Sequence, residues 1–245
     1  MSLFPRIREL HKETQKAVFL PKDPALMPLS WGVVEYKEYA RFRSYKLPAP
    51  EEITVPASKM FLNRKSARDF DPSKKISMQT LSNLLYWSVG VRPEEGKEID
   101  FAHAHRMYPS AGGRYPCEIY ISFAGNGEIS AGVYHYNVKK HSLEEVLDAK
   151  GDASVRQFPN YPFVKDAPLV FFITGMFARD MYKYKERGYR FVLLEAGILI
   201  EALYLVSATQ NLSVCALGST IDTQFETLLN LNPEEESMLT HLVIG

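Results

Sequence analysis

Three stretches of this chain gather side chains that can do chemistry. Between residues 64 and 68, Arg64, Lys65, Ser66 and Arg68 put three cations and a hydroxyl side by side, with Phe61 and Phe70 as apolar anchors. Guanidinium and ammonium groups at that density can clamp a phosphate or the polar edge of a cofactor. The second stretch is the loop Tyr108-Pro-Ser-Ala-Gly-Gly-Arg-Tyr-Pro116. With no Cβ at Gly112 or Gly113, its backbone can turn sharply and come close to a flat ligand. The third runs from Asp180 to Phe191 and mixes acids, lysines, arginines and tyrosines before an apolar segment. His103 and His105 put two imidazoles on one face of an extended segment, but no third ligand stands at metal spacing, so no metal is expected. Gly125-Asn-Gly127 lacks the third glycine and the helix of a dinucleotide fingerprint, which argues against a Rossmann-type nicotinamide site.

The elements that must hold these residues follow from periodicity. Ile119, Ile121 and Phe123 alternate with Glu118, Tyr120 and Ser122, predicting a strand from Cys117 with one buried face. That strand holds the glycine loop. Leu169 to Thr174 is a continuous apolar run and predicts a strand buried on both faces. Gly132 to Asn137 predicts a strand and 137–141 a polar turn; 211–217 a short strand emptying at Gly218; Met238–Ile244 a closing strand. Ser77 should cap a helix to about Ser88 that buries Leu81, Leu84, Leu85 and Trp87. Residues 189–209 predict a long helix, apolar nearly all round apart from Glu195 and Glu201. Such a helix must be buried on every side, by its own fold and by a partner subunit, and its two glutamates argue against a membrane span. Thr223 and Glu226 are spaced as a capping box for a helix carrying Phe225, Leu228 and Leu229. Residues 151–162 read as irregular. Strands and helices interleave without βαβ repetition, which predicts an α+β domain.

The N-terminal part reads differently. Residues 5–17 form a short polar helix with Ile7, Leu10 and His11, and 21–51 an ordered arm rich in Pro and Tyr. The expected division is thus residues 1–52 as helix and arm and 53–245 as the body. The 245 residues, 46% of them hydrophobic, suffice for one substantial core. Lys+Arg and Asp+Glu balance at 29 each, so charge does not point to nucleic acid or an anionic membrane. Cys117 and Cys215, the two cysteines of the chain, lack paired spacing, which fits a reducing compartment; with a charged N-terminus unlike a signal peptide, a cytoplasmic location is expected.

Taken in order, Arg64-Lys-Ser-Ala-Arg-Asp-Phe70, Tyr108–Pro116, Gly132-Val-Tyr-His-Tyr136 and Lys183-Tyr-Lys-Glu-Arg-Gly-Tyr-Arg-Phe-Val-Leu-Leu-Glu-Ala-Gly197 resemble the nitroreductase-like flavoproteins. Among them the chain is most similar to the SagB-type dehydrogenases, and 10–14 and 39–48 extend the likeness toward the N-terminus. The resemblance implies an FMN-dependent homodimer: an α+β sandwich with a mostly antiparallel sheet flanked by helices and the flavin in a cleft at the subunit interface. It implies that Arg64, Lys65, Ser66 and Arg68 hold the FMN phosphate and flavin edge, that Pro109, Ser110, Ala111 and Gly112 pass beside the ring, and that Leu217 and Gly218 line its other side. Lys183-Tyr184 matches the catalytic Lys-Tyr pair of azoline dehydrogenases, which oxidise thiazolines or oxazolines in a precursor peptide by removing a proton and a hydride. The Lys183 ammonium is then expected to lower the pKa of Tyr184. Neighbours on a regular helix do not share a face, so joint action predicts an irregular segment before Gly188.

Some positions depart from the family pattern. Ile198 stands where a His is common, Glu201 where an amide is common, and many relatives carry further basic residues beyond the position of Gly245. Two other functions fit the same fold: an NAD(P)H-dependent nitro or quinone reductase, and a flavin-binding subunit without turnover. A modified peptide or small molecule is the expected substrate, and a cyclodehydratase complex a possible setting.

Overall fold

The computed structural model describes residues 5–15 and 26–245. Its centre is a seven-stranded sheet made of β1 (Ser44–Lys46), β2 (Cys117–Phe123), β3 (Gly132–Asn137), β4 (Ser142–Leu147), β5 (Leu169–Gly175), β6 (Val214–Leu217) and β7 (Ser237–Ile244). The strand order is β1-β4-β3-β2-β5-β7-β6, and every named pair is antiparallel. The helices are α1 (Pro5–Glu13), α2 (Ala57–Asn63), α3 (Met78–Val89), α4 (Ala149–Val155), α5 (Phe177–Tyr184), α6 (Gly188–Thr209) and α7 (Asp222–Leu228). Two apolar layers sandwich the sheet. On one face α3 and α6 contribute Leu81, Leu85, Leu199 and Leu203 against Ile119, Phe171 and Leu242; on the other, Phe225 of α7 and Val155 of α4 cover Tyr120, Phe172 and Val243. The α+β architecture with an antiparallel sheet is therefore as the sequence indicates.

Several elements match their expected residues closely. Ser77 caps α3 by accepting from the Thr80 amide at 3.0 Å. β5 is buried along its whole length, as a continuous apolar run requires. The arm lies on its own chain's body: β1 pairs with β4, Val34 N donates to Ala102 O, and Lys37 bonds Tyr120 and Glu236. Residues 16–17 of the expected first helix and 21–25 of the arm lie outside the described residues.

Other expectations are corrected. β2 is buried on both faces, because its polar residues are consumed by partners. Glu118 forms an ion pair with Arg179 at 2.6 Å and accepts from His135 at 3.0 Å, while His135 also meets Glu144 at 3.0 Å. Burial pushes the Glu118 carboxyl up, but Arg179, His135 and Arg106 outweigh it and hold it at about 2. Residues 149–155 are helical where 151–162 was expected to be irregular, since Asp148 caps them by accepting from the amides of Lys150 and Gly151. α7 begins at Asp222 without a side-chain cap, and Glu226 instead accepts from the Met238 amide at 2.9 Å, tying α7 to β7. Phe61 is 62% exposed and anchors nothing in this chain, whereas Phe70 is buried. Within this one chain α6 leaves Leu193, Leu194 and Ile198 exposed, the part of its surface for which a partner subunit was expected.

Candidate functional site

The glycine loop leaves α3 through 90–108 and enters β2 at Cys117. Gly112 sits at φ +62 and Gly113 at +65, the left-handed region that favours glycine. Ser110 Oγ accepts from the Tyr115 amide at 2.8 Å and closes the loop, and Tyr115 Oη accepts from the Arg106 amide at 2.9 Å. Arg114 is buried and spans outward, donating to the carbonyls of Arg179, Ser30 and Val33. A cavity of about 370 Å³ lies against the loop, lined by Arg92, His105, Pro109, Ser110 and Gly113 among others.

Lys183 and Tyr184 meet this loop at Gly112. A Cβ built on Gly112 would lie 2.5 Å from Tyr184 Oη and 3.2 Å from Lys183 Nζ. The two adjacent side chains thus reach the same point in space, which a regular helix would prevent. They can because α5 ends there. Tyr184 leaves helical geometry at φ −106, ψ 3, and Lys185 follows at φ +52, opening a single 3-10 turn over Lys185–Arg187 before α6. Gly188 makes that hairpin possible, since a Cβ there would come within 2.9 Å of the Asp180–Met181 backbone. The irregularity foreseen before Gly188 is present, and it begins at Tyr184, the second residue of the pair.

The electrostatics differ from expectation in one respect. Burial, with Asp180 adding to it, raises the Tyr184 pKa despite Arg114 nearby, so Lys183 does not make Tyr184 a ready tyrosinate. One turn before the pair, Asp180 is fully buried, and neither carboxylate oxygen finds a hydrogen-bond partner among the described residues. Burial pushes it up to about 7 against the pull of Arg114, Lys183 and Arg179. Under Ser110, Glu195 of α6 is also buried; burial pushes it up to about 8, with Asp180 adding to the push and the Ser110 side chain opposing it. Stability should carry the signature of Asp180. Its folded pKa lies above its unfolded value, so stability falls as pH rises from about 4 and the loss is complete above about 7. Thermal melts should show Asp180→Asn more stable than the parent at pH 8, with the gap closing toward pH 4.

The basic cluster gathers at a different part of α6. Ser66 Oγ lies 2.9 Å from Tyr204 Oη, the Arg64 guanidinium stands 5.6 Å from the Tyr204 ring, and Ser66 bridges to Val214 of β6. Tyr204 Oη also accepts from the Ala216 amide, so one phenol joins the cation stretch to β6. Lys65 lines a neighbouring cavity of about 420 Å³ with Asn63, Asn211 and Ser213. Arg68 and Gly218 are exposed, while the Leu217 side chain is buried in the layer of Phe172 and Phe225 and offers only its backbone. Tyr204 and Glu195 are nine residues apart on α6, half a turn out of phase and roughly 14 Å apart along the axis. The cation cluster and the glycine loop therefore occupy opposite edges of one helix. His103 pairs with Asp100 at 2.7 Å, and His105 Nδ1 lies 3.4 Å from Tyr115 Oη.

Asp180, Glu195 and Tyr204 were not singled out as site residues from sequence. A signal existed for Glu195 and Tyr204, since a lone acid or phenol inside an apolar segment has to be buried beside something polar, whereas Asp180 stands in a charged stretch that gives no such sign.

Comparison with known proteins gives the family. The nitroreductase family model matches residues 62–245. The chain belongs to the nitroreductase family. MJ1384 of Methanocaldococcus jannaschii, which carries a nitroreductase name, is 28% identical over 187 residues, covering 76% of this chain and 89% of that protein. The trifolitoxin-processing protein TfxB of Rhizobium leguminosarum bv. trifolii is 25% identical over 90% of this chain, which spans 55% of TfxB. A chain of the E. coli microcin synthetase McbBCD complex, solved with truncated pro-MccB17 bound, superimposes with a TM-score of 0.63 at 22% identity, over 100% of this chain and 83% of that one. A nitroreductase-fold protein from Desulfovibrio desulfuricans, crystallised with FMN, gives a TM-score of 0.52 at 17% identity over 78% of this chain and 86% of that one. The processing proteins among these relatives support the resemblance to the SagB-type dehydrogenases.

Proposed function

We propose that this protein is an FMN-dependent dehydrogenase of the SagB type that oxidises an azoline in a modified peptide. The observation that carries the reading is the convergence of Lys183 Nζ and Tyr184 Oη on the backbone of the glycine loop at Gly112. The residues present fit a flavin mononucleotide. Arg64, Lys65, Ser66 and Arg68 supply charge and hydroxyl for its phosphate, and Pro109 to Gly112 supply a backbone that approaches a flat ring. Leu217 contributes through its main chain, beside Gly218. When bound, the flavin supplies the acceptor for a hydride. The chain does the rest: Lys183 in its amine form takes the proton from substrate carbon, and the protonated Tyr184 phenol donates a hydrogen bond that orients the reacting group.

The arrangement on α6 supports a homodimer. One flavin does not readily reach cations at one edge of the helix and a glycine loop at the other within a single chain. The flank between them, with Leu194, Ile198 and Glu201, is exposed and open to a second copy. A two-fold pairing along that flank unites the cation cluster of one copy with the loop of the other. In this reading residues 1–52 are the arm, 53–245 the flavin-binding body, the location is cytoplasmic, and a cyclodehydratase partner makes the azoline. That TfxB is a trifolitoxin-processing protein and McbBCD a microcin synthetase complex solved with truncated pro-MccB17 favours that setting.

The test is a visible absorption spectrum with release of the chromophore, then turnover with an azoline peptide against NADPH. Released FMN and azole formation are expected. Steady NADPH oxidation without azole formation would move the protein to the nitro or quinone reductases, a reading favoured by the name of MJ1384. A colourless protein that takes up no FMN would overturn both.

A further inference from the structure

Asp180 is the buried ionisable group closest in sequence to the Lys183–Tyr184 pair, and nothing so far uses it. On α5 it precedes Lys183 by three residues and Tyr184 by four, so it neighbours each of them on the helix surface. Its carboxylate is wholly buried and neither oxygen is hydrogen-bonded among the described residues. The nearby arginines are committed elsewhere: Arg114 to three carbonyls, Arg179 to Glu118 and the Tyr115 carbonyl. Gly188 presses α6 against the Asp180–Met181 backbone, which fixes where the carboxylate stands. An unpartnered buried carboxylate is costly, so its retention beneath a reactive pair calls for a use.

We propose that Asp180 is the residue through which the proton removed from substrate carbon leaves the Lys183–Tyr184 pair, a positioning residue that acts through Lys183. This deepens the azoline-dehydrogenase reading and rests on it for the substrate step. With substrate bound, the Lys183 side chain turns from Gly112 to hydrogen-bond the Asp180 carboxylate, which takes a proton from the ammonium and frees the amine. The amine takes the proton from substrate carbon, while the hydride and its two electrons pass to the oxidised flavin. The substrate has lost one proton and one hydride, Lys183 is an ammonium again, and Asp180 holds the net proton until the half-exposed Lys183 passes it to solvent after product leaves.

The charged and titratable groups facing Asp180 are Arg179, Lys183 and Tyr184 on its own helix, Arg114 from the loop, Glu195 from α6 and Cys117 from β2. Burial dominates, and the carboxyl titrates near 7, where it can both accept and release a proton. Glu195 is the one other acid in the group, so the experiment includes a background without it.

The decisive measurement is the infrared band of the protonated carboxyl in the FMN-loaded protein as pH is varied, in the Glu195→Gln background. A band that titrates near neutral pH, disappears in Asp180→Asn and moves to higher pH in Lys183→Met is expected, because loss of the ammonium removes a charge that favours the carboxylate. A band confined to the ordinary carboxylate range, or one indifferent to Lys183→Met, overturns the proposal even where azoles form. With azoline peptide, turnover should rise with pH through about 7 in the parent. In Asp180→Asn it should fall about 100-fold and lose that limb, with FMN still bound. Unchanged rate and pH profile in Asp180→Asn also overturn it. If the parent forms no azole but the band behaves as stated, the substrate reading fails while proton sharing between Asp180 and Lys183 stands.

Discussion

Lys183→Ala and Tyr184→Phe should each lower azoline oxidation about 100-fold or more while leaving FMN bound and the fold intact. In the proposed mechanism Lys183 accepts the proton at the glycine loop, and its removal leaves water to do that work. Tyr184→Phe removes one oxygen whose position is set by the end of α5, and the ring keeps its edge contact with Phe191 at 5.1 Å between centroids. Neither change reaches the cation cluster around Tyr204, so the amount of FMN bound should be unaltered. The losses should fall on kcat more than on KM, since the proposed roles of both groups are at the reacting bond. Parent-like kcat in both variants would remove the pair from catalysis and favour a flavin-binding subunit without turnover.

Gly112→Ala should produce a loss of similar size by moving atoms already present. The new methyl would stand 2.5 Å from Tyr184 Oη and 3.2 Å from Lys183 Nζ. Both are the far ends of flexible side chains, so the fold can yield cheaply, and what yields is the catalytic geometry. The backbone penalty for alanine at φ +62 is about 1 to 2 kcal/mol, small beside the whole fold. Steady-state kinetics on the double variant separates clash from general damage. Gly112→Ala combined with Tyr184→Phe should be little worse than Tyr184→Phe alone, because the clashing oxygen is gone. Additive losses would mean that the loop backbone itself, and not the displaced phenol, is what alanine spoils.

Much of this architecture was legible in the sequence. Leu169 to Thr174 gave its strand because an apolar run needs cover on both sides, and Ser77 gave the start of α3 because its hydroxyl caps a free amide. The failures came where a polar residue's partner is distant. Nothing local tells that Glu118 will meet Arg179 and His135, so β2 looked half-solvated. Asp148 caps α4 with one carboxylate, a signal outweighed by the Gly and Pro around it. At the candidate site, the residue types in the glycine loop and the Lys-Tyr pair were visible, but their meeting at Gly112 is a contact between distant segments that no local pattern advertises. The direction of the Tyr184 shift was misjudged for a related reason: sequence shows the neighbouring ammonium, while burial and Asp180 emerge only on folding.

The half-turn offset between Tyr204 and Glu195 has a genetic corollary. In the two-copy arrangement, a chain crippled at Arg64 and a chain crippled at Lys183 carry defects in different halves of each composite centre. A mixed pair assembles one centre with both defects and one with none. Two alleles that are each inactive alone should therefore complement when co-expressed. Random pairing of equal amounts would restore about a quarter of parental turnover, since half the dimers are mixed and each has one sound centre.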